Sequence, residues 1–310
     1  MVKPAQCRER FALRLLCSCA VLIFFLASSQ AQEIQDDDVL RVNTDLVVVN
    51  VTVTDAAGKY ARGLKRSNFT LTEDGREQTV SSFSAETTPF AAVVLLDFSG
   101  SMENRVSLAR SAAIRFLDGL REEDVAAVYS FDSEVEQLQD FSPSRDLAPM
   151  AFGRRAKGMT VLNDAVLRAS TDLSRRPEKR RAIVVLSDGY DTKSSASMDK
   201  ALSAALDAGA TVYTVDMSSP ETGNLAARAQ AAGALRHYAS KSGGRYVSTP
   251  GGQSLREAFS GIVEELGNQY TIAYRPTNHT RDGHWREIEV KLDGTGLTAR
   301  TRKGYRAAKN

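Results

Sequence analysis

The sequence predicts an α/β fold, a doubly wound and mostly parallel sheet, with a β-sandwich-like unit built from the N- and C-terminal segments. Three observations carry that expectation. Between residues 88 and 267, apolar strand-like runs alternate with amphipathic helix-like stretches, an order that implies right-handed crossovers and a parallel sheet. Both ends of the chain instead show short period-2 segments separated by turn signals. The third is Ala91–Leu96, six apolar residues running into Asp97, Ser99, Gly100 and Ser101. This is the pattern of a strand buried on both faces that ends in a polar loop.

Residues 1–31 read as a secretory signal. Lys3, Arg8, Arg10 and Arg14 form a basic start, Leu15–Ala27 an apolar run, and Ser29-Gln30-Ala31 a small-x-small cleavage site. A membrane anchor is the alternative, but a spanning helix needs about 20 apolar residues. A lipidation reading of Cys17-Ser18-Cys19 fits less well, because most of the apolar run follows those cysteines instead of preceding them. Removing the signal also removes Cys7, Cys17 and Cys19, so the mature chain needs no disulfide in an oxidising compartment. The segment's four basic residues and Glu9 give it +3, so the formal +2 of the full chain falls to −1. A near-neutral mature protein is a poor candidate for nucleic acid or an anionic membrane surface, and no integral membrane span is expected in it.

Residues 32–41 are a polar, acidic lead-in expected to be a flexible tether. In the β unit's first half, residues 42–86, valines at 47, 49, 51 and 53 alternate with polar residues. Strands are also expected at Phe69–Glu73, before the Asp74-Gly75 hairpin signal, and near Gln78–Ser84. So few strands hold too little core to be secure alone. The second half, residues 268–307, supplies Tyr270–Tyr274, Trp285–Leu292 and Thr298–Tyr305 around the Asp282-Gly283 turn. The α/β domain, 88–267, is therefore expected as an insertion into a sandwich made from both ends.

Within the α/β domain, helices are expected at Arg105–Leu120, Leu162–Leu173, Met198–Ala208, Leu225–Ser240 and Ser254–Leu266. Strands are expected at Ala91, Val125–Phe131, Ala182–Ser187, Ala210–Val215 and Arg245–Ser248, with an edge strand at Glu134–Leu138 before a loop holding Pro143 and Pro149. The basic run Arg175–Arg181 reads as a solvated loop at the bottom of the sheet, in preference to a binding patch.

The chemistry gathers at predicted strand ends, where open α/β sheets bind ligands. Asp97, Ser99 and Ser101 offer a carboxylate and two hydroxyls within five residues. Thr160 precedes a helix in Gly158-Met-Thr-Val-Leu-Asn-Asp164, and Leu186-Ser-Asp188-Gly189 repeats the pattern of a buried strand running into a carboxylate and a glycine. Hard oxygen donors suit Mg²⁺ or Mn²⁺, whereas zinc prefers His and Cys. Blander readings exist: helix capping for Ser99 and Ser101, and an Asp-Gly turn for Asp188. Asp132, Asp164 and Asp191 lie near in sequence, with turn and surface roles expected.

Asp-x-Ser-x-Ser at 97–101 with Thr160 and Asp188 resembles the metal-ion-dependent adhesion site of von Willebrand factor A (VWFA) domains, a Rossmann-like fold. Residues 88–267 follow that family's spacing. Tyr-Arg-Pro-x-Asn at 274–278 and Arg-Lys-Gly-Tyr at 302–305 make the chain similar to secreted VWFA-related proteins of acidobacteria. The resemblance implies that Ser99, Ser101 and Thr160 bind the cation directly while Asp97 and Asp188 act mainly through waters. It also implies an open coordination position for an Asp or Glu carboxylate of a partner protein. Phe98 departs from the residues often seen there, and its side chain should turn away from the metal.

A metal-dependent hydrolase would need a base. His237 sits on a predicted helix, and His279 and His284 flank the Asp282-Gly283 turn, away from the strand-end loops. An Asp or Glu could still serve. Expected, then, is an exported binding protein that is not an enzyme, acting in the periplasm, at the surface or in the medium. A structural envelope module without metal-dependent binding is the alternative.

Overall fold

The computed structural model describes residues 46–84, 88–144, 158–218, 224–249 and 252–309. The expected signal and lead-in, residues 1–31 and 32–41, lie outside the described residues, as does Pro149.

Three sheets organise the chain. Strands β1 (Val47–Thr54), β2 (Phe69–Glu73), β3 (Arg76–Glu77) and β4 (Val80–Ser84) come first. The central domain follows: β5 (Phe90–Asp97), α1 (Val106–Asp118), β6 (Val125–Phe131), β7 (Val135–Ser142), α2 (Leu162–Ser174), β8 (Arg180–Ser187), α3 (Met198–Asp207), β9 (Ala210–Asp216), α4 (Leu225–Ser242), β10 (Tyr246–Ser248) and α5 (Gly252–Gly267). Strands β11 (Tyr270–Tyr274), β12 (Trp285–Leu292), β13 (Thr298–Arg300) and β14 (Gly304–Arg306) close the chain.

The six-stranded sheet has the order β10-β9-β8-β5-β6-β7, all parallel except β7, which runs antiparallel along the edge. Burial on both faces follows from the apolar run of β5. Phe90, Ala92, Val94 and Leu96 pack in one core with Phe116 of α1 and Phe259 and Ile262 of α5. Ala91, Val93 and Leu95 pack in the other with Val166 of α2, Ala205 of α3 and Leu235 of α4.

The terminal segments form two four-stranded antiparallel sheets, β13-β1-β11-β4 and β14-β12-β2-β3. Each combines strands from both ends of the chain, as the sandwich expectation requires. Their facing side chains share one core that includes Val49, Val51, Leu71, Tyr270, Ile272 and Ile288. The segment expected as one strand at 298–305 is two, because Thr301–Lys303 lie between a piece pairing with β1 and a piece pairing with β12. Since β1 pairs with β11 and β13, and β2 has besides β12 only the two-residue β3 as a neighbour, residues 46–84 expressed alone are expected to stay unfolded. Dispersed amide resonances from that fragment would overturn this.

Two expectations need correction. The edge strand runs to Ser142, four residues beyond Leu138, because the bulged pairing with β6 continues to Ala126↔Ser142. The basic run is only partly a solvated loop. Arg180 begins β8 and is 1% exposed, and its guanidinium donates to the carbonyls of Thr88 and Leu266. A buried backbone carbonyl left without a donor is costly, and arginine's rigid fork reaches two of them at once.

Candidate metal site at the strand ends

Asp97 is the last residue of β5, and its position deep in the sheet leaves it fully buried. One carboxylate oxygen accepts the Ser99 backbone N–H at 2.9 Å, and the other accepts the Ser187 hydroxyl at 2.5 Å. Ser187 Oγ in turn accepts the Gly189 N–H at 2.9 Å, so the ends of β5 and β8 are fixed to each other. Ser99 occupies the N-cap position of a short 3-10 turn, Gly100–Arg105, yet its side chain makes no capping hydrogen bond. Its hydroxyl lies 3.1 Å from that of Ser101 instead. The capping role weighed for these serines is thus not the one Ser99 plays.

Asp188 is 5% exposed and pairs with the Ser101 side chain. Its contact with the Tyr190 N–H is long, 3.4 Å, so a turn-forming role accounts for little of it. Gly189 must be glycine: its φ is +84°, and a Cβ there would lie 2.5 Å from the Ala231 carbonyl oxygen.

Thr160 is buried in the third loop. Its N–H donates to the Thr192 hydroxyl, and its carbonyl accepts from the Thr192 and Lys193 N–H groups. Gly158 packs so close to Gly100 that a Cβ on the latter would sit 3.2 Å from the Gly158 Cα. The three loops expected to converge therefore do so.

The neighbouring acids brace these loops. Asp191 accepts from the Asn163 N–H and from both the N–H and the hydroxyl of Ser194. Asp164 accepts from the N–H groups of Ser195 and Ala196, and Asp132 from Ser133 and Glu134. The bonds of Asp132, and those of Asp191 to Ser194, are the turn roles expected; those of Asp164, and of Asp191 to Asn163, instead join the start of α2 to the loop after β8. Phe98 turns into the core beside Met102, as expected.

Two residues escaped the sequence reading. The sequence marks Ser187 only as the last residue of its strand, but its hydroxyl orients Asp97. Asp216 ends β9 with 2% exposure, accepts the Tyr246 hydroxyl at 2.5 Å, and its charge raises the pKa of Asp188. A third strand ending in a carboxylate, Thr-Val-Asp216, was the available signal.

The electrostatics are those of crowded, desolvated acids. Burial, and then the Asp188 charge, push the Asp97 carboxyl up to about 7 against the donated hydrogen bonds of Ser187 and Ser99. Burial likewise raises Asp188, opposed by the Ser101 hydrogen bond. Among the described residues, neither carboxylate forms an ion pair with Lys or Arg. The donor set fits a hard divalent cation. All its ligating atoms are oxygens, and the Ser99–Ser101 separation of 3.1 Å is close to the edge of an octahedron with 2.0–2.1 Å bonds, about 2.9 Å. No group of three His, Cys, Asp or Glu suited to a metal occurs among the described residues, so any such site depends on the hydroxyls. His237 lies on α4, and His279 and His284 lie beside β12.

The parallel sheet gathers hydroxyls and carboxylates in three loops at its carboxyl edge, the place where open α/β sheets bind ligands. Residues 92–190 match the family model described as the von Willebrand factor type A domain. The narrower resemblance to acidobacterial proteins rests on the sequence motifs alone. No curated protein matches the chain. Among solved structures, the chain is similar to a von Willebrand factor type A protein from Catenulispora acidiphila at 14% identity, with 87% of this chain and 75% of that one covered and a TM-score of 0.49. The vWF domain of the type V pili tip protein Mfa5 from Porphyromonas gingivalis is similar at 15% identity, with coverages of 58% and 95% and a TM-score of 0.48. The conserved hypothetical protein BatB from Bacteroides thetaiotaomicron gives 18%, 57% and 98%, and 0.47. These likenesses are too distant to carry over a ligand or partner. No helix among the described residues is long and apolar enough to cross a membrane.

Proposed function

We propose that this chain is an exported adhesion-type protein that binds another protein through a divalent cation, Mg²⁺ or Mn²⁺. Ser99, Ser101 and Thr160 hold the ion directly, and Asp97 and Asp188 act through waters. When bound, the ion supplies an electrophilic position for an Asp or Glu carboxylate of the partner. The chain's own contribution is orientation. Ser187 and the Ser99 N–H fix the Asp97 carboxylate, while Thr192 and Lys193 fix the Thr160 backbone.

The observation that carries this reading is the pair of facing hydroxyls at 3.1 Å beside two buried carboxylates with no cationic side chain paired to them. Buried acids left in this state are costly unless a cation arrives. Calorimetric titration of Mg²⁺ and Mn²⁺ into the mature protein, beside Asp97→Ala and Asp188→Ala, tests it. Saturable binding by wild type that both variants lose is expected. Binding that survives in both variants would place the ion elsewhere and sink the reading.

A further inference from the structure

At the opposite end of the six-stranded sheet lies a cleft of about 580 Å³, between the starts of β8 and β9 and the C-terminal strands. It is separated from Asp188 by the length of β8, roughly 23 Å for eight residues. Its lining is strongly one-signed. Lys179, Arg181, Arg281, Arg302, Arg306 and Lys309 face a single acidic residue among the described residues, Asp207. Leu46, Val47, Leu206 and Pro276 provide an apolar wall beside them.

Among the described residues, Arg302 and Arg181 form no salt bridge, although Asp207 lies within electrostatic reach of the first and Glu178 of the second. Arg302 is 7% exposed; one terminal nitrogen donates to the Leu206 carbonyl at 2.7 Å, while its Nε is buried with no hydrogen-bond partner. Its guanidinium lies 5.6 Å from the Tyr305 ring centre, and burial pushes its pKa down with Asp207 only partly offsetting that. Arg181 spends its donors on the carbonyls of Glu178, Ala208 and Arg176, none of them charged. Burial raises the carboxyl of Asp207, which weakens it as a counter-charge. A buried guanidinium without a directly paired anion is expensive. Arginine forks match phosphate oxygens in geometry, and the cleft volume falls within the ~300–1,000 Å³ of small-molecule sites.

We propose that this cleft binds a small phosphorylated molecule, with its phosphate on Arg302 and the rim cations and its less polar body against the apolar wall. This site is separate from the strand-end metal site and does not rest on it. The test is calorimetric titration of the full chain with inorganic pyrophosphate, glycerol 3-phosphate and citrate. One saturable pyrophosphate site per chain is expected, weakened at least about tenfold in the double variant Arg306→Glu/Lys309→Glu. Both positions are exposed, so an unchanged thermal midpoint should certify its fold. Arg302→Met should abolish binding, and if that variant fails to fold, the rim variant decides. Absence of saturable pyrophosphate binding, equal binding by wild type and rim variant, or tighter binding of citrate than of both phosphates would each overturn the assignment.

Discussion

Without metal, the protein is expected to lose stability as pH rises from 4 to 7, and Mg²⁺ should restore it only at the upper end. The Asp97 carboxyl stands at about 7 in the folded chain against an ordinary 3.8. A raised carboxyl pKa means that the folded state keeps a proton the unfolded chain releases. Its contribution is therefore fully present below about 4 and lost as pH climbs through about 7, a change on the order of 4 kcal/mol. Asp188, raised in the same direction, steepens the slope. Metal binding needs the ionised acid, so at pH 8 and a hundred times Kd, Mg²⁺ should add about 2.7 kcal/mol, and at pH 5 almost nothing. Urea unfolding at pH 5, 6, 7 and 8, with EDTA or Mg²⁺, reads both effects. Asp97→Asn should flatten the EDTA profile; an unchanged slope in that variant would remove Asp97 as its source.

The second large effect is expected far from the strand ends. Glu265, near the end of α5, is 1% exposed and takes part in three interactions with other parts of the chain. It accepts the Tyr213 hydroxyl of β9 at 2.7 Å and the Thr52 hydroxyl of β1 at 3.2 Å, and it pairs with Arg300 of β13 at 2.5 Å. Gln269 donates to both Thr52 and Tyr213, closing the network. One carboxylate thus ties the parallel sheet, α5 and one of the two terminal sheets. Glu265→Ala leaves Arg300 and the Tyr213 hydroxyl without that partner; because Arg300 is 35% exposed, the cost should fall below that of a fully buried pair, on the order of 2–3 kcal/mol. The loss should also split a single unfolding transition into two, since this network joins the parts. A variant that unfolds in one step within 1 kcal/mol of wild type would show the joint to be held by apolar packing alone.

Because α5 passes into β11 through Gly267–Gln269, any displacement of that helix must strain Glu265 and its partners. The same turn holds Asn268, which accepts from Arg62 at 2.6 Å, and Leu266, whose carbonyl receives Arg180. A helix anchored at its C-terminal end by five segments has little freedom to slide. The sandwich therefore acts on the α/β domain as a restraint.

The sequence by itself determined the two kinds of fold and the site residues' placement in loops. Uninterrupted apolar runs such as Ala91–Leu96 are stable only with both faces covered, and the valine alternation of residues 47–53 marks one apolar face; that Asn50 and Thr52 on the other face are buried as well was settled by packing and not by periodicity. Local periodicity records that difference, so sheet type and strand position were legible. Glycine at 189 was legible too, as part of a turn signal. What tertiary structure alone decided were matters of pairing between distant residues. Ser187 serves Asp97 across ninety positions, Arg180 reaches Thr88 and Leu266, and the 298–305 segment divides between two sheets. Hydropathy counts an arginine or serine by its own polarity, whereas its burial depends on whether a carbonyl or carboxylate from elsewhere in the chain meets it. That partner is fixed only when the layers pack. The basic cleft has the same origin, since Lys179 and Arg181 are brought to Arg302 and Lys309 by the fold and by no sequence spacing.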